Sequence, residues 1–142
     1  MPAALFDSSI YISALRKGRG GTMAARNLAS GTPLWLSAVV LEELYAGTGG
    51  NSSRTVERLH RDFDRAKRIL VPSLGDWAQA GKVLARLAAK YGYEHVGRGR
   101  LSNDALIAMS AARLGITVIT ANEKDFARLA EFRRFDWKLA VL

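Results

Sequence analysis

Cysteine is absent from this chain of 142 residues. Its absence excludes a disulfide scaffold, thiol catalysis and a cysteine zinc site, and it suits a reducing cytoplasm, the location that we expect. Long apolar runs are missing too, since no stretch approaches the roughly 20 apolar residues of a membrane span. The N-terminus also lacks a charged region followed by a long apolar segment. We therefore expect a soluble, unprocessed protein with no membrane association.

Two familiar ligand-binding patterns are also missing. The only histidines, His60 and His95, are not spaced as a metal-binding pair. The glycines at residues 18–21 match neither the G-x-x-x-x-G-K-[ST] nor the G-x-G-x-x-G spacing of phosphate-binding loops. The sequence gives no support for a histidine-ligated metal or for nucleotide binding of these types.

Basic residues are plentiful. Lysine plus arginine outnumber aspartate plus glutamate by 21 to 13, which gives a net charge of +8. This excess indicates a polyanion or an acidic protein as a partner. The length, without an internal repeat or an interdomain linker, predicts one domain over residues 1–142.

The most basic segment is predicted to be a helix over residues 54–69. Its apolar residues recur at helical spacing on one face, and its arginines recur on the opposite face. Glu57 and Asp64 each precede an arginine by four residues, the favourable order for exposed ion pairs. We interpret this face as paired and solvated, with a basic binding surface as the alternative. The arginines are Arg54, Arg58, Arg61, Arg65 and Arg68.

Strand-like runs alternate with helix-like segments along the chain. This alternation predicts an α/β fold with a central, mainly parallel sheet flanked by helices. The predicted strands are residues 3–6, 34–36, 69–71, 116–120 and, at a sheet edge, 135–141. The other predicted helices are residues 10–17, 22–29, 38–46, 74–91, 104–114 and 126–130.

Three aspartates lie where a parallel sheet binds ligands. Asp7 follows the first strand, Asp125 ends the acidic loop after the fourth, and Asp104 opens the helix that leads into the fourth. Two of them also have an ordinary explanation: Asp7 can cap the next helix, and Asp104 in a first turn, after a cap at Ser102 or Asn103, interacts favourably with the helix dipole. Only their combination indicates an acidic cluster.

The predicted helix at residues 38–46 contributes one further carboxylate. Glu42 and Glu43 are adjacent and project about 100° apart, so only one can face the cluster, and periodicity does not choose between them. Carboxylates that share a small cleft repel one another and raise one another's pKa unless a cation neutralises them. An oxygen-only site of this kind suits Mg²⁺ or Mn²⁺.

Two other aspartate-dependent classes fit poorly. A phosphatase of the haloacid dehalogenase type needs a second aspartate two residues after the first, where this chain has Ser9. A receiver domain needs an acidic pair at the first strand and an aspartate after the third, where residues 71–73 read Val-Pro-Ser. Neither class is supported.

Four motifs cover nearly the whole chain: LFDSS at residues 5–9, ELYAG at 43–47, NDALIA at 103–108 and TANEKDF at 120–126. In this order they resemble the motifs of PIN-domain ribonucleases, specifically the VapC-type toxins of toxin–antitoxin pairs. The resemblance prefers Glu43 over Glu42, because the family's glutamate precedes Leu-x-x-Gly. It implies that the catalytic and metal-binding residues are Asp7, Glu43, Asp104 and Asp125, and that Ser9, Thr120 and Asn122 orient metal-bound water or the phosphate.

The resemblance further implies a single PIN domain with Mg²⁺- or Mn²⁺-dependent endoribonuclease activity on single-stranded or looped RNA. A VapB-like antitoxin would hold it inactive, and it would form a homodimer. Arg98 and Arg100 precede Asp104 on a glycine-rich loop, so we expect them to contact RNA phosphates. Tyr45 stands where relatives often carry a basic residue, which leaves RNA contacts on that helix open. The alternative is a non-catalytic PIN-like RNA-binding or scaffolding module, but no acidic residue is missing.

Overall fold

The computed structural model describes residues 3–18, 31–47, 52–96 and 99–140. The predicted helix at residues 22–29 lies outside these ranges. The strands are β1 (Ala4–Phe6), β2 (Leu34–Ser37), β3 (Ile69–Leu70), β4 (Thr117–Thr120) and β5 (Trp137–Leu139). The helices are α1 (Ser8–Lys17), α2 (Ala38–Gly47), α3 (Ser52–Arg65), α4 (Leu74–Tyr91), a 3-10 turn (Tyr93–His95), α5 (Gly99–Leu114) and α6 (Glu123–Ala130).

The five strands form one parallel sheet in the order β3-β2-β1-β4-β5. Leu5 in the central strand lies opposite Trp35 on one side and Val118 on the other. The predicted α/β fold with a parallel sheet flanked by helices is therefore confirmed, as is the edge position of the last strand. Because all strands run the same way, the residues that follow β1, β2 and β4 come to one edge of the sheet.

Helix α5 is buried on nearly every side along its middle. Its residues from Ala105 to Ala111 are all buried, and the apolar strands β1 and β4 lie in the same core. Continuous apolar runs of this kind are typical of elements that are covered on both faces. Asp104 sits at the start of this buried stretch, so its carboxyl group is held on a rigid element.

The predicted start of α5 is wrong. The helix begins at Gly99, so Ser102 and Asn103 lie inside it and do not cap it, and Asp104 belongs to the second turn. A helical glycine costs about 1 kcal/mol relative to alanine. Burial of Leu101 beside the core offsets that cost and extends the helix backward. A helix dipole acts most strongly in the first turn, and Asp104 lies beyond that turn.

Several other boundaries differ from the prediction, and two of them change the position of charged residues. Helix α6 already begins at Glu123, so Asp125 occupies its first turn and not a loop. Helix α3 ends at Arg65, four residues early, because Lys67 adopts a left-handed conformation with φ of 57°. The amide of Lys67 donates to the carbonyl of Asp64, and that of Arg68 to the carbonyl of Phe63. This Schellman ending usually uses glycine, so its sequence signal was missing.

A buried carboxylate joins the start of α4 to the end of α5. Asp76 and Ser73 form a reciprocal capping box, in which the Ser73 amide donates to Asp76 at 2.9 Å and the Asp76 amide donates to Ser73 Oγ at 3.2 Å. Arg113 Nε donates to both carboxylate oxygens of Asp76 at 3.0 Å. These bonds anchor the helix that carries Asp104.

We expect Asp76→Ala to lower the free energy of unfolding by about 3 kcal/mol, near the low end for breaking a buried ion pair, because the Arg113 side chain is 41% exposed. Ser73→Ala should cost about 1 kcal/mol through loss of the cap. Urea unfolding measures both. The control is Asp64→Ala on an exposed face of α3, which should change stability by less than about 0.5 kcal/mol. Equal losses for Asp76→Ala and Asp64→Ala would contradict the anchoring role.

Candidate active site

Asp7 lies at the carboxyl end of β1 with only 2% of its surface exposed. Its Oδ1 accepts hydrogen bonds from the amide of Ser9 at 3.1 Å and from the Ser9 hydroxyl at 2.5 Å. Its Oδ2 accepts a hydrogen bond from Thr120 Oγ1 at 2.6 Å. Asp7 therefore caps α1, as its ordinary explanation predicts, and also faces the end of β4.

The hydroxyls of Ser9 and Thr120 tie this carboxylate to the turn between β4 and α6. Ser9 Oγ accepts a hydrogen bond from the amide of Ala121 at 3.1 Å, and Thr120 Oγ1 accepts one from the amide of Asn122 at 2.9 Å. Each hydroxyl thus donates to Asp7 while accepting from the turn. In this structure the two side chains orient Asp7, a contact that the sequence-based interpretation did not include.

Asp104 approaches from α5 and Asp125 from α6, and Asn122 lies between them. The side-chain nitrogen Nδ2 of Asn122 donates to Asp125 Oδ2 at 2.9 Å and, at a longer 3.4 Å, to Asp104 Oδ2. Asp104 is 3% exposed, whereas Asp125 is half-buried. Asn122 therefore holds the two carboxylates side by side.

The carboxylates strongly influence one another. Burial raises the pKa of Asp104 to about 8, and the charges of Asp7, Asp125 and Glu43 act in the same direction, whereas Arg100 opposes them. Burial also raises the pKa of Asp7, but the hydrogen bonds from Ser9 and Thr120 oppose that rise. Asp104 therefore favours its protonated form near neutral pH when no cation is present.

Glu43 is the glutamate of α2 that joins this cluster. Burial raises its pKa, hydrogen bonds from Asn103 and Ser8 lower it, and the charge of Asp7 raises it. Its buried Oε1 has no hydrogen-bond partner within the described part of the chain. Glu42 is exposed. The structure thus resolves which of the two adjacent glutamates faces the other carboxylates.

The cluster opens into a cavity of about 220 Å³. Glu43 lines a neighbouring cavity of about 430 Å³ together with Arg16 of α1 and Ser52 of α3. The residues that line the smaller cavity are Asp7, Ser8, Ser9, Arg100, Asp104, Asn122, Lys124 and Asp125.

Some contacts were missed by sequence reasoning, and one predicted residue lies outside the described ranges. Ser8, Asn103 and Lys124 were not predicted as site residues; their positions beside Asp7, Asp104 and Asp125 were the only signal. Arg100 lies at the cavity, as expected of a residue near the site, but the predicted loop is wrong for it, because it belongs to the first turn of α5. Arg98 lies outside the described residues.

A hydrated divalent cation fits this donor set. In residues 3–18, 31–47, 52–96 and 99–140 there is no group of three Asp, Glu or His side chains that could together hold a metal ion. Mg²⁺ does not require such a group, because it usually keeps several waters and binds through one or two carboxylates. Among the described residues the Oε1 of Glu43 has no hydrogen-bond partner, and burial and the neighbouring carboxylates raise the pKa of Asp104, so that its ionised form is only partly compensated. Oxygen ligands of this kind suit Mg²⁺ or Mn²⁺.

Comparison with known proteins identifies the fold. The chain is similar to the DNA-bound VapBC complex from Salmonella typhimurium, with a TM-score of 0.61, 19% identity and 98% of both chains covered. It is also similar to VapBC2 from Rickettsia felis bound to a promoter DNA fragment, with a TM-score of 0.61 and 19% identity, over 98% of this chain and 99% of the other. Similarity to VapBC-1 from nontypeable Haemophilus influenzae has a TM-score of 0.58 and 25% identity over 96% of each chain.

The family comparison covers most of the chain. No curated protein matches the sequence significantly. The family model described as the PIN domain matches residues 4–132, which include all four acidic residues of the cluster. The chain therefore belongs to the PIN domain family.

Proposed function

We propose that this protein is a divalent-metal-dependent endoribonuclease and the toxin of a toxin–antitoxin pair. The convergence of Asp7, Glu43, Asp104 and Asp125 at one edge of a parallel sheet carries the proposal, since buried carboxylates that repel one another call for a cation. Membership of the PIN domain family and similarity to VapBC complexes support a nuclease toxin. The dependence on metal and the choice of RNA are the steps that we add.

Each side chain has a distinct role in this proposal. Asp104 and Asp125, which Asn122 links, would hold the cation directly, and Glu43 would hold it through bound water. Asp7, oriented by Ser9 and Thr120, would complete the acidic wall. When bound, a divalent cation supplies a nucleophilic water at neutral pH and stabilises charge on the phosphate and leaving oxygens.

The remaining residues of the cavity act on protons and phosphates. The Asp104 carboxyl would release its proton as a cation binds, and the Asn122 amide would keep it beside Asp125. Arg100 and Lys124, both exposed at the cavity, would attract the phosphates on either side of the scissile bond.

We expect Asp104→Asn to raise the melting temperature of the metal-free protein. The folded pKa of about 8 lies above the value near 3.8 of an unperturbed aspartate, so ionisation destabilises the fold progressively between pH 4 and pH 8. The rise in melting temperature should therefore be greatest at pH 8 and above, where it should reach at least about 3 °C. It should vanish toward pH 4. Asp64→Asn, an exposed control, should show no such pH dependence.

The same melting experiment detects the cation. Mg²⁺ at ten times its dissociation constant should stabilise the wild type by about 1.4 kcal/mol, and Asp104→Asn and Glu43→Gln should lose most of that increment. An unchanged Mg²⁺ response in both variants would remove these residues from the metal site.

Glu43→Gln and Glu42→Gln form a matched pair for catalysis. Wild-type protein should cleave single-stranded RNA with Mg²⁺ or Mn²⁺ and stop when EDTA is added. Glu43→Gln should lower the rate by at least about 100-fold, because even residues that only orient metal ligands cost 10- to 100-fold. Glu42→Gln should leave it unchanged, since Glu42 is exposed.

Three outcomes of this assay would contradict the proposal. Cleavage that persists in EDTA excludes the metal mechanism, and an active Asp104→Asn enzyme removes Asp104 from it. RNA binding without cleavage under any cation would favour the non-catalytic module instead.

A protein partner also belongs to the proposal, namely a VapB-like antitoxin bound to a toxin homodimer. The similar solved structures are VapBC complexes. Three large apolar side chains at the start of α4 are exposed, Val71 by 65%, Leu74 by 86% and Trp77 by 61%. A group of exposed apolar residues of this kind usually marks a protein contact.

Co-expression tests the partner directly. Expression of the toxin alone should arrest growth, and co-expression of the protein encoded by the adjacent reading frame should restore growth and yield a complex that purifies together. The Asp104→Asn protein should still bind that partner but should not arrest growth. A neighbouring product that neither binds nor protects would end the toxin–antitoxin assignment, whatever the outcome of the RNA assay.

A further inference from the structure

The arginines of α3 and its C-terminal turn are all exposed, and their expected ion pairs are not formed. We call this set the arginine ridge; its members are Arg54, Arg58, Arg61, Arg65 and Arg68. Within the described residues the ion pairs are Lys90–Glu131 and Arg113–Asp76, and neither involves α3. The interpretation of this face as paired, with Glu57 and Asp64 as the partners, is therefore wrong. The guanidinium groups are available to a ligand.

The ridge is fixed to the helix that carries Glu43. On its inner side α3 buries Val56 fully and Phe63 partly against the core. His60 Nδ1 is hydrogen-bonded to the Tyr45 hydroxyl of α2 at 3.0 Å, and their rings meet edge to face at 5.9 Å. The cavity beside Glu43 extends to Ser52, the first residue of α3. The ridge thus belongs to an element that adjoins the acidic site.

The composition of the ridge favours a nucleic acid over a protein. Protein interfaces have a centre of apolar and aromatic side chains. Within the described residues no large apolar side chain of α3 is exposed; those that are exposed lie on other elements. Arg58 borders an apolar cavity on the core side of α3 with Leu59 and Phe63, but the exposed row itself has no apolar centre. Exposed guanidinium groups in a row are suited to phosphodiesters, which each can bind through two parallel hydrogen bonds.

The spacing of the ridge suits an extended strand. Successive arginines are three or four residues apart, so at 1.5 Å per residue they rise by about 4.5–6 Å along the axis. From Arg54 to Arg65 the row is about 16 Å long. A row of this length can follow several consecutive phosphates of a single strand, but it presents no fixed set of groups for reading bases.

We propose that the arginine ridge is an accessory binding surface for the phosphate backbone of the RNA that flanks the cleaved segment. This inference rests on the proposed ribonuclease function and adds a second contact region to it. The ridge binds RNA without regard to sequence and does not take part in the chemistry at the acidic cluster. Its contribution should therefore appear in affinity and KM and not in kcat.

The test compares two triple variants that remove equal charge. The ridge variant is Arg58→Gln, Arg61→Gln and Arg65→Gln, and the control is Lys82→Gln, Arg86→Gln and Lys138→Gln, all exposed residues on α4 and β5. Binding is measured in Ca²⁺ over a salt series, with one RNA of about 4 nucleotides and one of about 20 of the same composition. Each lost phosphate contact should flatten the slope of log affinity against log salt by about 0.7.

For the longer RNA we expect the ridge variant to flatten this slope by about two units and to raise KM at unchanged kcat. For the short RNA, and for the control variant with either RNA, the slope should stay close to that of the wild type. Equal slopes for the ridge variant and the wild type on the longer RNA would overturn the proposal, as would equal flattening by the control. Loss of antitoxin binding with an unchanged RNA slope would also overturn it and would assign the ridge to an acidic protein.

Failure of the proposed function gives a different result. If the wild type binds both RNAs but cleaves neither with Mg²⁺ or Mn²⁺, the ribonuclease assignment fails. The slope difference between the two RNAs still decides whether the ridge binds a phosphate backbone.

Discussion

The placement of two buried and two half-buried carboxylates beside one another is the constraint on which the rest of this structure depends. A buried charge is costly unless hydrogen bonds or an opposite charge compensate it. The two most buried carboxylates of the cluster, Asp7 and Asp104, differ in the hydrogen bonds that they receive. Asp7 receives short hydrogen bonds from Ser9 and Thr120, which oppose the rise in its pKa that burial causes but do not cancel it. Within the described residues Asp104 receives only a long hydrogen bond from Asn122, and its pKa rises to about 8. The negative charge is thus better compensated at Asp7 than at Asp104, and a bound cation would complete the compensation.

That arrangement requires rigid supports, and the fold supplies them. Asp104 projects from a helix that is buried along its middle, so repulsion cannot be relieved by moving the backbone. The ion pair of Asp76 with Arg113 fixes the end of this helix against α4. On the opposite side Thr120 ends a central strand and hydrogen-bonds to both Asp7 and the following turn. The acidic cluster therefore destabilises the fold, and the packing of the surrounding helices and sheet offsets that loss.

The sequence predicts the sheet and the gathering of the three aspartates for one physical reason: parallel strands bring their carboxyl ends to the same edge. Strands β1, β2 and β4 were predicted to within one residue, because buried apolar runs bounded by polar residues are unambiguous. Helix α4 was predicted with its observed ends. The start of α5 was missed because the helix begins at a glycine, Gly99. The end of α3 was missed because Lys67, and not a glycine, adopts the left-handed conformation that ends it. Selecting Glu43 over Glu42 needed the family resemblance, and the contacts of Asn103 and Lys124 depend on side-chain directions that no local pattern encodes.

The acidic cluster and the arginine ridge lie on different elements of the fold, and this arrangement has a physical consequence. A polyanion that approaches the acidic cavity meets repulsion, although the whole chain carries a net charge of +8. At physiological ionic strength charges more than about 8 Å apart are largely screened, so distant basic residues cannot cancel that local repulsion. Arg100 and Lys124 lie at the cavity itself, and Arg100 already favours the ionised forms of Glu43 and Asp104. The arginine ridge lies on a neighbouring helix and can act only on a strand that extends beyond the cavity. A substrate long enough to reach both regions would gain attraction outside the cavity that offsets the repulsion within it.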